Sequence, residues 1–139
     1  MLELRDLSFA YPAGRPLLEG LSFTFRSGGI CAVLGPNGTG KTTLLNMIAG
    51  REETDSGSII RQNGLHMAYL SQNPVYEKED TVLSFVTRGI DPSDRTAISE
   101  AKSNLMTLGL TDYEEKLEHL SGGQRKKAAL ARVLLGSFD

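Results

Sequence analysis

The sequence predicts an α/β domain made of an antiparallel β portion, a partial parallel sheet with helices, and a small α-helical subdomain. Three observations predict it. Apolar and polar residues alternate in two stretches near the N-terminus, Leu2 to Phe9 and Leu21 to Arg26, which is the period of half-buried strands. Ile30-Cys31-Ala32-Val33-Leu34 is apolar throughout and runs into a glycine-rich loop and a helical pattern, the order found in parallel sheets covered on both faces. Beyond Pro74 the character is helical.

The bulk numbers fit one such domain. At 139 residues the chain can bury one core and not two. Its apolar fraction of 40% and charged fraction of 23% are those of an ordinary globular protein. Fifteen basic against seventeen acidic residues leave a formal charge of −2, so nothing in the balance marks nucleic acid or an anionic membrane as the main partner. Cys31 is the single cysteine. It has no disulfide or metal-ligand companion and is expected as a small buried strand residue, compatible with a reducing compartment. Met1-Leu2-Glu3-Leu4-Arg5-Asp6 carries acids where a signal peptide has a basic n-region. No apolar stretch approaches the roughly 20 residues of a membrane span. These features predict a cytoplasmic chain without direct membrane insertion.

Taken in order, the first two strands should pair antiparallel, because Tyr11-Pro12-Ala13-Gly14 punctuates the segment between them. Ser27-Gly28-Gly29 turns the chain into Ile30–Leu34. Lys41 to Ala49 reads as a helix closed by Gly50. Ser58–Arg61 and His66–Leu70 read as short strands around the hairpin signal Asn63-Gly64. Thr81 to Thr87 is a short helix. A longer one is expected from Asp91 as N-cap, with Pro92 at its first position, to Leu108, burying Ala97, Ile98, Ala101, Leu105 and Leu108. Thr111-Asp112-Tyr113-Glu114 has the form of a capping box for another short helix. Ser121-Gly122-Gly123-Gln124 opens a last helix to about Leu135.

Gly35-Pro36-Asn37-Gly38-Thr39-Gly40-Lys41-Thr42 fills every fixed position of the G-x-x-x-x-G-K-[ST] phosphate loop, with an apolar segment before it and a helix after it. Glycines let the backbone turn several N–H groups onto one phosphate. The helix start adds its positive end. Lys41 is expected on the β- and γ-phosphates and the Thr42 hydroxyl on Mg²⁺, with Thr43 in the same nucleotide-binding turn. A glycine-rich turn that merely carries a lysine does not account for the whole pattern.

Leu120-Ser121-Gly122-Gly123-Gln124 lies at a second helix start, Ser121 being 80 positions past Lys41. Ser121 can cap that helix while Gly122 and Gly123 leave its first N–H groups open to an anion. The five residues closely resemble the LSGGQ signature of ABC (ATP-binding cassette) ATPases, and the resemblance covers essentially the whole chain. It implies a P-loop NTPase domain of ABC type. Residues 1–75 would be the nucleotide-binding core, 76–120 the helical subdomain, and 121–139 the signature and its helix.

Further expectations follow from that resemblance. Ser121, Gly122, Gly123 and Gln124 would bind the γ-phosphate of ATP held by a second ABC ATPase domain, in an ATP-dependent head-to-tail dimer. Tyr11 resembles the aromatic residue that stacks on adenine, an ordinary turn tyrosine being the alternative on the sequence alone. Gln72 matches the glutamine that reaches Mg²⁺ and the attacking water, so Lys41 and Gln72 are the expected catalytic residues. The family's next motif is an apolar run ending in Asp-Glu, followed by a switch histidine. The sequence ends at Gly136-Ser137-Phe138-Asp139, and His66 and His119 read as surface or packing residues. Taken alone, the chain is therefore expected to bind ATP, to hydrolyse it poorly, and to bare a sheet edge beside Ile30–Leu34. A non-catalytic nucleotide-binding or regulatory fragment is the alternative reading.

Two branches of the family are open. Transporter domains, which work with a membrane-spanning subunit, form the larger class. From Gly57 to Gln72 is only 15 positions, and this compactness resembles the ABC-F proteins, which act on ribosomes. The cluster Arg125-Lys126-Lys127 could contact RNA, but a solvated helix face or support for a nucleotide phosphate is the more economical account.

Overall fold

In the computed structural model, which describes residues 1–12, 14–136 and 138, the chain divides into two compact units. One runs from Met1 to Met67, and the other begins at Ala68. Ala13 of the expected turn, with Ser137 and Asp139, lies outside the described residues.

The first unit is built on strand β1 (Leu2–Ala10), flanked antiparallel by β2 (Pro16–Phe25) and β3 (Ser56–Arg61) in the order β2-β1-β3. Leu4 and Leu7 are both buried although their sequence parity differs. An irregularity resolves this. The β1–β2 register shifts between Leu4 and Leu7, and Asp6 takes a left-handed φ of 46°. One residue is thus extruded, and the strand's apolar side chains return to the same face. Asp6 donates its N–H to Ser22 Oγ at 2.9 Å. Helix α1 (Lys41–Ile48) lays Leu44 and Met47 against Leu4, Leu7 and Phe9 to form the core. It stops at Gly50, whose φ of 73° only glycine adopts without strain, and Arg61 Nη2 donates to Ile48 O at 2.9 Å.

Two expected strands are absent. Residues 30–34 have no ladder partner, with Ile30 and Leu34 102% and 89% exposed, and Cys31 is exposed rather than buried. An apolar strand of this kind is buried only where neighbouring strands and layers cover both faces, and the described residues place neither beside it. Residues 66–70 are also irregular. Asn63-Gly64 does turn the chain, with Leu65 N–H bonding Gln62 O at 3.0 Å, but only its first arm pairs.

The second unit is helical: α2 (Val82–Val86), α3 (Arg95–Thr107), a 3₁₀ turn (Leu117–His119) and α4 (Gly122–Val133). Its core joins Val82, Phe85 and Val86 with Ala101, Leu105, Leu117, Ala128 and Ala131. Two expected helix starts differ. The N-cap of α3 is Asp94, which accepts from Ala97 N–H at 3.0 Å. Asp91 is spent on a preceding turn, accepting from Ser93 N–H at 2.8 Å, so Pro92 lies outside the helix. Asp112 accepts from Glu114 and Glu115 N–H at 3.1 and 3.2 Å and makes a local turn rather than a capping box. Ala101 and Leu105 are the buried centre of the α3 face, with Ala97, Ile98 and Leu108 half-buried.

Asp80 holds this unit together. Only 8% exposed, it pairs with Arg88 and accepts from Glu77 N–H at 2.6 Å. Burial by itself would raise the Asp80 carboxyl. The hydrogen bonds from Arg88 and Glu77 and the charges of Arg88 and Arg132 outweigh it and hold the group below its ordinary 3.8. A carboxylate lowered in the folded state stabilises above its unfolded value, and that contribution fades as pH falls through the lowered one. Asp80→Asn is expected to cost about 2 kcal/mol at neutral pH, because it removes the close carboxylate partner of the half-buried Arg88 and leaves it only the longer contact to Glu77 at 3.7 Å. The cost should shrink on acidification below about pH 4; thermal melts of both proteins from neutral to acid pH check this.

Candidate functional site

In the first unit, the phosphate loop is a backbone device. Gly38 and Gly40 have φ of 82° and 88°, a region costly for side chains with a Cβ. Gly40 stands at the N-cap of α1 and supplies no side-chain cap, and no acid sits in the first turn. The N–H groups of that turn are therefore left to an outside acceptor. Lys41 folds back over the loop, with Nζ donating to Gly35 O at 2.7 Å and to Pro36 O at 2.5 Å. Thr39 Oγ1 donates to Pro36 O at 2.8 Å and closes the turn from inside. Gly35 packs closely here, since a Cβ on it would lie 3.0 Å from Thr39 Oγ1. Backbone N–H groups at the start of α1, left-handed glycines and one ammonium together suit a polyphosphate.

The neighbouring side chains divide by face. Thr42 is exposed, whereas Thr43 is buried with Oγ1 3.2 Å from Tyr11 Oη. Tyr11 is 49% exposed and packs edge-on against Phe9, ring centroids 5.0 Å apart. The structure thus ties Tyr11 to the helix that opens at the phosphate loop. The sequence does not reveal this Tyr11–Thr43 link.

In the second unit, Ser121 caps α4. Its Oγ accepts from Gln124 N–H at 3.2 Å, while Gln124 Oε1 accepts from Ser121 N–H at 2.9 Å. This reciprocal box fixes the turn that presents Gly122 and Gly123. A Cβ on Gly122 would meet nothing within 4 Å, and one on Gly123 only Ser121 Oγ at 3.9 Å, so the two glycines face open space. Gln72 is exposed and lines the same shallow concavity as Tyr76, Gly122, Gly123, Arg125 and Lys126. Arg125 Nη1 donates to Tyr76 Oη, and its guanidinium lies over the Tyr76 ring, 5.5 Å from the centroid. Nothing in the sequence pattern points to that contact. His119 is exposed, with Nδ1 2.8 Å from Glu115 Oε1. Among the described residues no cluster of His, Cys, Asp and Glu could hold a metal by itself, and no helix is long and apolar enough to cross a membrane.

Comparison with known proteins gives the family. Residues 18–138 match the family model described as ABC transporter. The zinc import ATP-binding protein ZnuC of Vibrio cholerae is 33% identical over 140 residues, taking in 100% of this chain and 52% of that protein. The energy-dependent translational throttle protein EttA of Haemophilus influenzae is 31% identical over 167 residues, 92% of this chain and 30% of that one. A solved ATP-binding subunit of an ABC transporter superimposes with a TM-score of 0.79 at 26% identity, covering 97% of this chain and 62% of the other. The chain spans about half the length of the zinc-import relative. With the family model matched over most of its length, the chain belongs to the ABC transporter family of ATP-binding domains.

Proposed function

We propose that this chain binds ATP through residues 35–43 and works as one member of an ABC ATPase pair that drives transport through a membrane-spanning subunit. In this reading Lys41 neutralises the β- and γ-phosphates, and Tyr11 offers its exposed ring to adenine. The Thr42 hydroxyl and Gln72 are hard oxygen donors of the kind Mg²⁺ takes, and the ion would balance phosphate charge. Ser121, Gly122, Gly123 and Gln124 receive the γ-phosphate of ATP held by a second domain, head to tail. Such a chain works in the cytoplasm and reaches the membrane only through its partner.

One observation carries the reading. Two helices, α1 and α4, start with glycine-bearing turns and have no acid in the first turn; Arg125 and Lys126 stand just inside the second. The starts of α2 and α3 also lack a first-turn acid but open on Thr81 and Asp94, so it is the glycines of α1 and α4 that leave N–H groups accessible to an anion arriving from outside. The transport branch is favoured over a ribosomal one by the alignments. The zinc-import relative matches the whole chain over 140 positions, nearly the chain's own 139, whereas the translational relative needs 167 positions for 92% of it.

The test is ATP-dependent self-association, measured by sedimentation with and without Mg²⁺-ATP. Gly123→Asp places a carboxylate at the positive end of α4 without a clash. It is expected to weaken association at least about tenfold while leaving ATP affinity at the phosphate loop within about twofold. Equal loss of both, or association indifferent to ATP, would contradict the two-site reading.

A further inference from the structure

We propose that Tyr76 and Arg125 form a positioning pair that locks the capping turn of α4 to the segment following Gln72; the role of that turn rests on the reading of residues 121–124 as a phosphate-binding helix end. Arg125 is the residue next to Gln124, so its backbone belongs to the turn that presents Gly122 and Gly123. Its N–H donates to Ser121 O at 3.0 Å, directly beneath the capping box. Its side chain is held at two points by one partner, the guanidinium over the Tyr76 ring at 5.5 Å from the centroid and Nη1 on Tyr76 Oη. Tyr76 in turn packs against the buried cluster of the second unit. The turn is therefore referenced to the core through an aromatic side chain rather than left to its own hydrogen bonds.

The arrangement answers an electrostatic problem. A cation in the first turn of a helix opposes the positive end of the helix dipole, and Arg125 closes that turn, with Lys126 one residue further on. Left free, Arg125 would swing away from that end into solvent. The ring face and the phenol oxygen instead keep its charge beside the concavity lined by Gly122, Gly123 and Gln72. Tyr76 follows Gln72 by four positions, so the same contact makes any displacement of the Gln72 segment felt at the signature turn. The pair acts through Gly122 and Gly123 rather than on phosphate itself.

The test is residue-resolved amide exchange by NMR on the whole chain without nucleotide, comparing the parent with Tyr76→Phe, Arg125→Lys and the double variant. Tyr76→Phe keeps the ring and removes only the acceptor; Arg125→Lys keeps the charge and removes the planar fork. Each is expected to speed exchange of the Gln124 and Arg125 amides about tenfold, the double variant no more than either alone, while the Leu105 amide in α3 keeps its rate. Unchanged exchange in the turn, or acceleration spread evenly over α3 and α4, would overturn the positioning role. The outcome does not depend on ATP. If the parent fails to associate with ATP, the two-domain reading falls, and the exchange comparison still decides the role of this pair.

Discussion

Lys41→Ala is expected to abolish measurable ATP binding, lowering affinity by at least about a hundredfold, as read by calorimetry in the presence of Mg²⁺. The size of the effect follows from the donor set. The remaining donors of the loop are backbone N–H groups, the Asn37 amide and the exposed hydroxyls of Thr39 and Thr42, all neutral. The ammonium is the full charge that the loop brings to a triphosphate, and Gly35 O and Pro36 O hold it across the mouth of the turn. Stability should change little, because the loop is exposed and its carbonyls stay open to water once the ammonium is gone. Lys41→Arg is expected to rescue poorly, since a planar fork does not fit where one ammonium bridges two carbonyls. ATP affinity within a few-fold of the parent in Lys41→Ala would rule out the loop as the phosphate site.

The sequence exposed this site because its chemistry is written in backbone conformation. Gly38, Gly40, Gly122 and Gly123 stand where the chain must open its N–H groups, and a glycine is readable without any tertiary contact. Two helix starts were legible for a similar reason, since Thr81 and Ser121 cap them by bonding residues three positions away. Failures came where a local signal had rivals or a partner was needed. Asp91 followed by Pro92 reads as a cap, but Asp91 is used in the turn at Ser93 and Asp94 caps α3 instead. Residues 30–34 have the composition of a central strand, but a ladder is a property of two segments. Tyr11–Thr43, Tyr76–Arg125 and Asp80–Arg88 join residues 32, 49 and 8 positions apart, and no periodicity reports such pairs.

The β1 bulge makes the second strong prediction. Gly57 sits in β3 opposite the extruded Asp6 with φ of 86°, and a Cβ there would lie 2.4 Å from both Arg5 O and Asp6 O. Neither neighbour can yield cheaply, because both are backbone atoms of the central strand. The β1–β3 register also shifts between Arg5 and Ser8, across this point. Gly57→Ala therefore has to straighten the bulge or break the β1–β3 ladder. Straightening would shift one half of β1 by a residue and turn either Leu2 and Leu4 or Leu7 and Phe9 away from α1. The expected cost is about 3–4 kcal/mol, a large share of what a single small domain has. Gly64→Ala is the control: its φ of 78° is equally left-handed, but a Cβ there meets nothing within 4 Å, so about 1 kcal/mol is expected. Chemical denaturation of the two variants separates steric exclusion from backbone preference. A Gly57→Ala protein no less stable than Gly64→Ala would mean that the bulge and its glycine are not packed as described. The same substitution should weaken ATP binding indirectly, since α1, whose N-terminus ends the phosphate loop, rests on the face of β1 that the bulge keeps in register.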